Sequence, residues 1–176
     1  MATAKPDAIA LLKADHRKVE KLFADFEKAK GESRKAGLVK QICTELTVHT
    51  MIEEEIFYPA CRGKIEDDTL DEAYVEHDGA KMLIAELMES EPDESFYDAK
   101  VKVLSEEIKH HVREEERRTD GMFAQARKAG VDMQALGDEL RARKEQLLEQ
   151  FETAGLPTPQ TRSMKGAPVE HMGMAQ

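Results

Sequence analysis

The sequence predicts an all-α protein, an up-down-up-down four-helix bundle carrying an extra C-terminal helix and a flexible tail. Three observations lead to it. Within 176 residues there are only 10 Gly and 6 Pro, and most fall at a few breakpoints between long stretches rich in Ala, Glu, Lys and Leu; that composition disfavours a sandwich or barrel. Apolar residues in those stretches recur every three or four positions, the period of one helix face. Four of the stretches are long and joined by short connections, the pattern of antiparallel neighbours in a bundle.

Each element has its own signals. The first helix opens at Pro6-Asp7, since Pro is tolerated in a first turn, and runs to about Lys30 before Gly31. Ser33 is the expected N-cap of the second, which continues through Tyr58-Pro59 and ends before Gly63. The third starts at Asp67-Asp68-Thr69 and stops near Ser90, ahead of Pro92. The fourth begins at Asp93 or Glu94 and reaches roughly Arg118. Thr119-Asp120-Gly121 is a break, Met122 to Lys128 make one or two turns, and Asp132 caps a last helix ending near Glu152. Residues 1–128 are therefore expected to form the bundle and 129–154 a further helix packed on its outside. Residues 155–176, with Pro157, Pro159 and Pro168, are expected to be a flexible tail.

The formal net charge is −10, with charged residues at 35% and aromatics at 5%. This argues against nucleic acid or an anionic membrane as partner, both of which call for a concentrated positive surface. No apolar run approaches the roughly 18–20 residues of a membrane helix, and Met1 to Asp15 lack a secretion signal pattern, so a cytoplasmic protein is expected. Cys43 and Cys61 share the second helix and would lie roughly 27 Å apart at about 1.5 Å rise per residue, beyond disulfide reach. They read as small apolar residues.

Polar residues interrupt the apolar seams at matching depths. Helix one gives Ile9, Leu12, His16, Val19, Phe23 and Phe26; helix two gives Leu38, Ile42, Leu46, His49, Glu53, Ile56 and Ala60. Helix three gives Leu70, Ala73, His77, Ala80, Ile84 and Leu87; helix four gives Val101, Leu104, Ile108, His111 and Glu115. Residues four apart share a helix face, so each His-x-x-x-Glu pair aims an imidazole nitrogen and a carboxylate at one interior point. A single seam histidine is usually a hydrogen-bonded core residue. Six ligand-type residues on four helices, with no Lys or Arg in the seams to pair with them, point instead to bound metal, because unpaired buried carboxylates cost several kcal/mol. Four imidazoles and two carboxylates, both bridging, would hold two ions; the set suits iron or manganese and, less selectively, zinc.

His110 competes with His111, but only His111 continues the phase of Val101, Leu104 and Ile108. Glu45 and Glu107, four residues before His49 and His111, are candidates to accept from a ligand's second ring nitrogen, and Tyr74 stands three before His77. His171, among Met172 and Met174, has no assigned role. No glycine-rich phosphate loop, catalytic triad order or Cys-x-x-Cys pair is present, so any catalysis would be metal-centred.

Asp15-His16, the run from His49 through Glu53-Glu54-Glu55 to Tyr58-Pro59, Glu76-His77, and His110-His111 through Glu114-Glu115-Glu116 together resemble the hemerythrin-like HHE cation-binding domain. The resemblance covers roughly residues 5 to 128. It implies a di-iron site held by His16, His49, Glu53, His77, His111 and Glu115, with Glu53 and Glu115 bridging. The ferritin-like pattern, Glu-x-x-His with mostly carboxylate ligands, is less similar. Oxygen-carrying hemerythrins have a second histidine on the third helix, where this chain has Ala73, and His-x4-Asp on the fourth, where it has His111-x3-Glu115. The resemblance with these departures implies a position open to water, a tyrosine or a substrate, and points to O2, peroxide or NO chemistry rather than reversible O2 carriage. The alternative it leaves is a regulatory or iron-handling module read by a protein partner through the tail. The chain also inserts Arg-Arg-Thr-Asp after Glu116, just beyond the metals, where the family often continues directly.

Overall fold

The computed structural model describes residues 5–165. Among these residues all regular structure is helical. The helices are α1 (Ala8–Lys28), α2 (Glu32–Ile52), α3 (Asp67–Glu89), α4 (Tyr97–Glu116), α5 (Met122–Lys128) and α6 (Met133–Ala154). Helix α2 runs on without a break through a π-helical turn (Glu53–Phe57) into a last α turn (Tyr58–Cys61). Successive long helices α1 to α4 pack on one another, and α4 closes back on α1. This is the expected bundle, and α6 lies across α1, α2 and the π turn. No helix among the described residues is long and apolar enough to cross a membrane.

Several boundaries differ from expectation for local reasons. Asp7 caps α1, its carboxylate accepting from the Ala10 N–H at 2.8 Å, and Asp132 caps α6 through Gln134 and Ala135. Ser33 caps nothing, because α2 already starts at Glu32, after Gly31 at φ 85°. Helix α4 starts at Tyr97 rather than Asp93 or Glu94. A turn closed by the Glu91 N–H on the Glu94 carboxylate occupies that stretch, and Phe96 adopts φ 71° just before the helix.

The core is split. One apolar cluster joins Ile9 and Leu12 to Ile52, Phe57, Leu70, Met122 and the inner face of α6; a second joins Val19, Phe23, Ile42, Leu46, Ile84, Leu104 and Ile108. Between them, each of the four long helices contributes buried polar residues: His16, His49 with Glu53, His77, and His111 with Glu115. Both cysteines are free and buried, and burial pushes each thiol up to about 12, in keeping with a packing role.

Part of the segment expected to be a flexible tail makes defined contacts. Past Ala154 the chain crosses to α3, where Asp78 Oδ2 accepts from the backbone N–H groups of Arg162, Ser163 and Met164 at 2.9, 2.6 and 3.3 Å. The Ser163 hydroxyl donates to the same oxygen at 2.6 Å. Burial of Asp78 acts to raise its pKa, but these bonds outweigh it and hold the carboxyl down at about 2. His171 lies outside the described residues.

Helix α6 comes against the start of α1 at Gly137, where an added Cβ would sit 2.8 Å from the Ala8 nitrogen and 3.0 Å from the Pro6 oxygen. Backbone cannot give way there as a side-chain tip can. Gly137→Ala is therefore expected to cost about 1–3 kcal/mol despite its better helix propensity, read as a lower urea midpoint at unchanged slope. An unchanged midpoint would mean that α6 does not pack this tightly.

Candidate metal centre

The six seam residues meet at one level of the bundle. His16 and His49 face each other with Nε2 atoms 3.1 Å apart, and His77 and His111 do so at 3.2 Å. Glu53 Oε2 lies 3.3 Å from Nε2 of both His49 and His77. Glu115 reaches His16 through Oε2 at 3.3 Å and His111 through Oε1 at 3.5 Å. Each carboxylate thus spans the two histidine pairs. Two sets of donor atoms lie within 4.8 Å of one another: His16, His49, Glu53 and Glu115, and Glu53, His77 and His111. All six residues are buried, yet Glu53 Oε1 and Glu115 Oε2 have no hydrogen-bond partner. Buried carboxylate oxygens without a hydrogen bond, on side chains set among four imidazoles, suit a metal, the partner that would satisfy them.

The outward nitrogen of every ring meets a carboxylate from the preceding helix around the bundle. Asp15 on α1 faces His49 Nδ1 at 3.5 Å, and Glu54, at the end of α2, lies 3.0 Å from His77 Nδ1. Glu76 on α3 lies 2.7 Å from His111 Nδ1, and Glu116 on α4 lies 2.7 Å from His16 Nδ1. The ring closes on itself. Each of these acids adjoins a seam residue in sequence, so turning that residue inward leaves its neighbour beside the next helix. Glu45 and Glu107, the same-helix candidates, do not take the role: Glu45 accepts from Lys18 at 2.6 Å, Asp15 faces His49 and Glu76 holds His111. His110 points outward, half exposed, and meets Glu76 at 3.2 Å.

Tyr58 is the residue that seam analysis missed. Its hydroxyl is fully buried among Glu115 Oε1 at 3.0 Å, His77 Nε2 at 3.1 Å and Glu53 Oε2 at 3.3 Å. A straight α-helix would place position 58 about 140° from Glu53 and keep Ile56 and Ala60 in the seam. The π turn, closed by the Tyr58 N–H on the Glu53 carbonyl, shifts the phase, so Phe57, Tyr58 and Cys61 are buried instead. Pro59, which has no N–H to offer the Glu55 carbonyl, is the signal in the sequence for that change of phase. Tyr74 stays outside, edge-on to Tyr58 with centroids 5.2 Å apart and with the Arg162 guanidinium 5.0 Å from its ring.

A helical bundle with a buried imidazole and carboxylate cluster defines a metal-binding protein. A family model described as the hemerythrin HHE cation-binding domain matches residues 7–122, and the chain belongs to that family. A solved HHE-domain protein from Mycobacterium kansasii superposes with a TM-score of 0.72 at 23% identity, over 86% of this chain and 95% of that one, and shares its fold. A protein from Nostoc sp. named a DNA nickase is 28% identical over 106 residues, which is 60% of this chain. The match spans only 30% of that relative's length.

Without metal the cluster is a network of charges. Burial opposes a charged His49, but Glu53 and Asp15 outweigh it and raise the ring from 6.5 to about 10; His111 is likewise raised by Glu115. Burial and Glu115 oppose a charged Glu53, yet His49 and His77 bring it from 4.5 down to about 2. The His49 contribution is complete below pH 6.5 and is lost as pH climbs through about 10. The Glu53 contribution is complete above pH 4.5 and is lost as pH falls through about 2. Chelator-treated protein is therefore expected to be most stable between pH 4.5 and 6.5, with a Tm that declines steadily toward pH 10. A Tm that is level or rising over that alkaline range would contradict the charged network.

Proposed function

We propose that this protein holds two iron ions at His16, His49, Glu53, His77, His111 and Glu115 and reacts with, or senses, O2, peroxide or NO there. The observation that carries the reading is that Glu53 and Glu115 each reach both histidine pairs, the arrangement of two carboxylates shared between two metal positions. Iron supplies redox chemistry toward small oxidants when bound; manganese and zinc are the alternatives the donor set also accepts. The chain's own residues do the rest. Glu54, Glu76 and Glu116 fix the tautomer and orientation of their rings, and the Asp15 carboxylate faces the His49 ring at 3.5 Å, leaving each Nε2 to the interior. Tyr58 brings a phenol oxygen to the His77 side, either as a further ligand or as a proton donor to a group held there. The apolar clusters on both sides of the layer limit water.

Metal analysis after anaerobic reconstitution, followed by the visible spectrum on adding O2, tests the proposal. Two irons per chain and a new charge-transfer band are expected. Zinc, or less than one iron, would overturn it. His77→Ala and Glu53→Ala are each expected to lower metal content, and Glu76→Gln to weaken affinity about 10–100-fold. His110→Ala should retain both ions; loss of metal there would mean the helix-four ligand has been assigned to the wrong histidine.

A second reading, a regulatory module whose metal state a protein partner reads, is favoured by one set of contacts. Asp78, which holds residues 162–164, also bonds Lys81 at 3.3 Å; Lys81 donates to Glu54 at 2.7 Å, and Glu54 holds His77. Under that reading, oxidant alters proteolysis of residues 155–165; identical cleavage patterns with and without oxidant would exclude it.

A further inference from the structure

A cavity of about 190 Å³ opens between α3, α4 and the turn that follows α4, and its lining includes both His111 and Glu115. Ala73 forms part of its wall, where any longer side chain would fill the space. Glu115, 1% exposed, leaves its Oε2 without a hydrogen-bond partner. The rim is acidic. Glu66 and Glu72 line it, are exposed, and have no ion-pair partner among the described residues. Glu114 and Asp120 also line it and both engage Arg117, the single Lys or Arg side chain in the lining.

The turn that builds this rim is the Arg-Arg-Thr-Asp insertion. It folds back so tightly that a Cβ at Gly121 would lie 2.5 Å from the Arg117 carbonyl oxygen. Gln125 then ties the rim together: its Oε1 accepts from the Glu66 N–H at 3.1 Å, and its Nε2 donates to the Asp120 carbonyl at 2.8 Å and to Thr69 Oγ1 at 3.4 Å. A second hollow against the same turn is lined by Lys13, Arg118, Arg127 and Lys128 and touches none of the six seam residues. The turn therefore lies between a net negative opening lined by His111 and Glu115 and a net positive one that reaches Glu116, the acid on His16, but none of the six.

We infer that the acidic cavity is the loading route for divalent metal cations, and that its carboxylates admit cations and neutral small molecules while holding anions off. A carboxylate-lined cleft with low-dielectric walls raises the local concentration of cations and their entry rate. The inference rests on the metal-binding reading of the seam residues and adds how metal arrives and which ligands follow it.

Co2+ uptake by the metal-free full chain, followed by stopped-flow absorbance, tests the route without depending on any activity of the loaded protein. The variant E66Q/E72Q/D120N removes three rim charges and no seam residue. A control, E27Q/E32Q/D93N, makes the same change in net charge at the opposite end of the bundle. The rim variant is expected to load about 10-fold more slowly at low ionic strength. It should converge on the wild-type rate near 1 M salt, where the screening length is about 3 Å, and reach the wild-type end point. The control should load at the wild-type rate. Equal rates for rim variant and wild type, or equal slowing of variant and control, would overturn the route while the end point still reports an intact site. A wild-type end point of no bound Co2+ would overturn the metal reading itself, and the route with it.

Discussion

Burying six ionisable side chains in one layer of a small helical core is the constraint on which the rest of this structure depends. A carboxylate or protonated imidazole taken out of water costs several kcal/mol unless partners surround it, and here two carboxylates and four imidazoles are placed together between two apolar clusters. Most of its polar atoms are answered, and Glu53 Oε1, Glu115 Oε2 and His49 Nδ1 are left without a hydrogen bond. Inward-facing nitrogens meet Glu53 and Glu115, and outward-facing nitrogens meet Asp15, Glu54, Glu76 and Glu116. A helix that slid by one turn would break three of these interhelix pairs at once, so the polar layer fixes the relative heights of the helices, which apolar contacts alone leave loosely defined.

The outer elements are tied to the same layer. Lys144 on α6 bonds Asp15, the carboxylate facing His49, and Arg143 grips Glu55 with two bonds at 2.6 and 3.1 Å beside the π turn. On the other side, the segment held by Asp78 connects through Lys81 and Glu54 to His77. Neither α6 nor residues 162–164 touches the inner ring, yet each contributes a charge to an acid that orients one of its imidazoles. Outer-layer carboxylates placed this way set the direction and basicity of the rings they hold.

Much of this was legible from spacing alone. The heptad-like seams located all six buried residues, and the break at Gly121 and the cap at Asp132 are where the sequence puts them. What stayed hidden had two physical sources. Partners of the outward nitrogens come from neighbouring helices, so the same-helix logic that suggested Glu45 and Glu107 could not find Asp15 and Glu76. Tyr58 was out of reach because a helical wheel assumes constant phase, and the π turn breaks that assumption within five residues of Glu53. The attachment of residues 162–164 to Asp78 leaves no periodic trace, since it is made mainly by backbone N–H groups, which every residue but proline carries.

The two halves of the layer are not equivalent, and the difference bears on chemistry. His16 lies under Phe123, whose ring stacks on it with centroids 5.9 Å apart and planes 10° from parallel, and His49 meets His16 edge-on. That half is closed by an aromatic face. His77 instead meets the Tyr58 hydroxyl, and His111 lines a cavity walled by Ala73. One half has packing where the other has a polar hydrogen and open volume. Among the described residues, the His77 and His111 half therefore combines a buried hydroxyl with a cavity at its edge, while the His16 half packs against an aromatic ring.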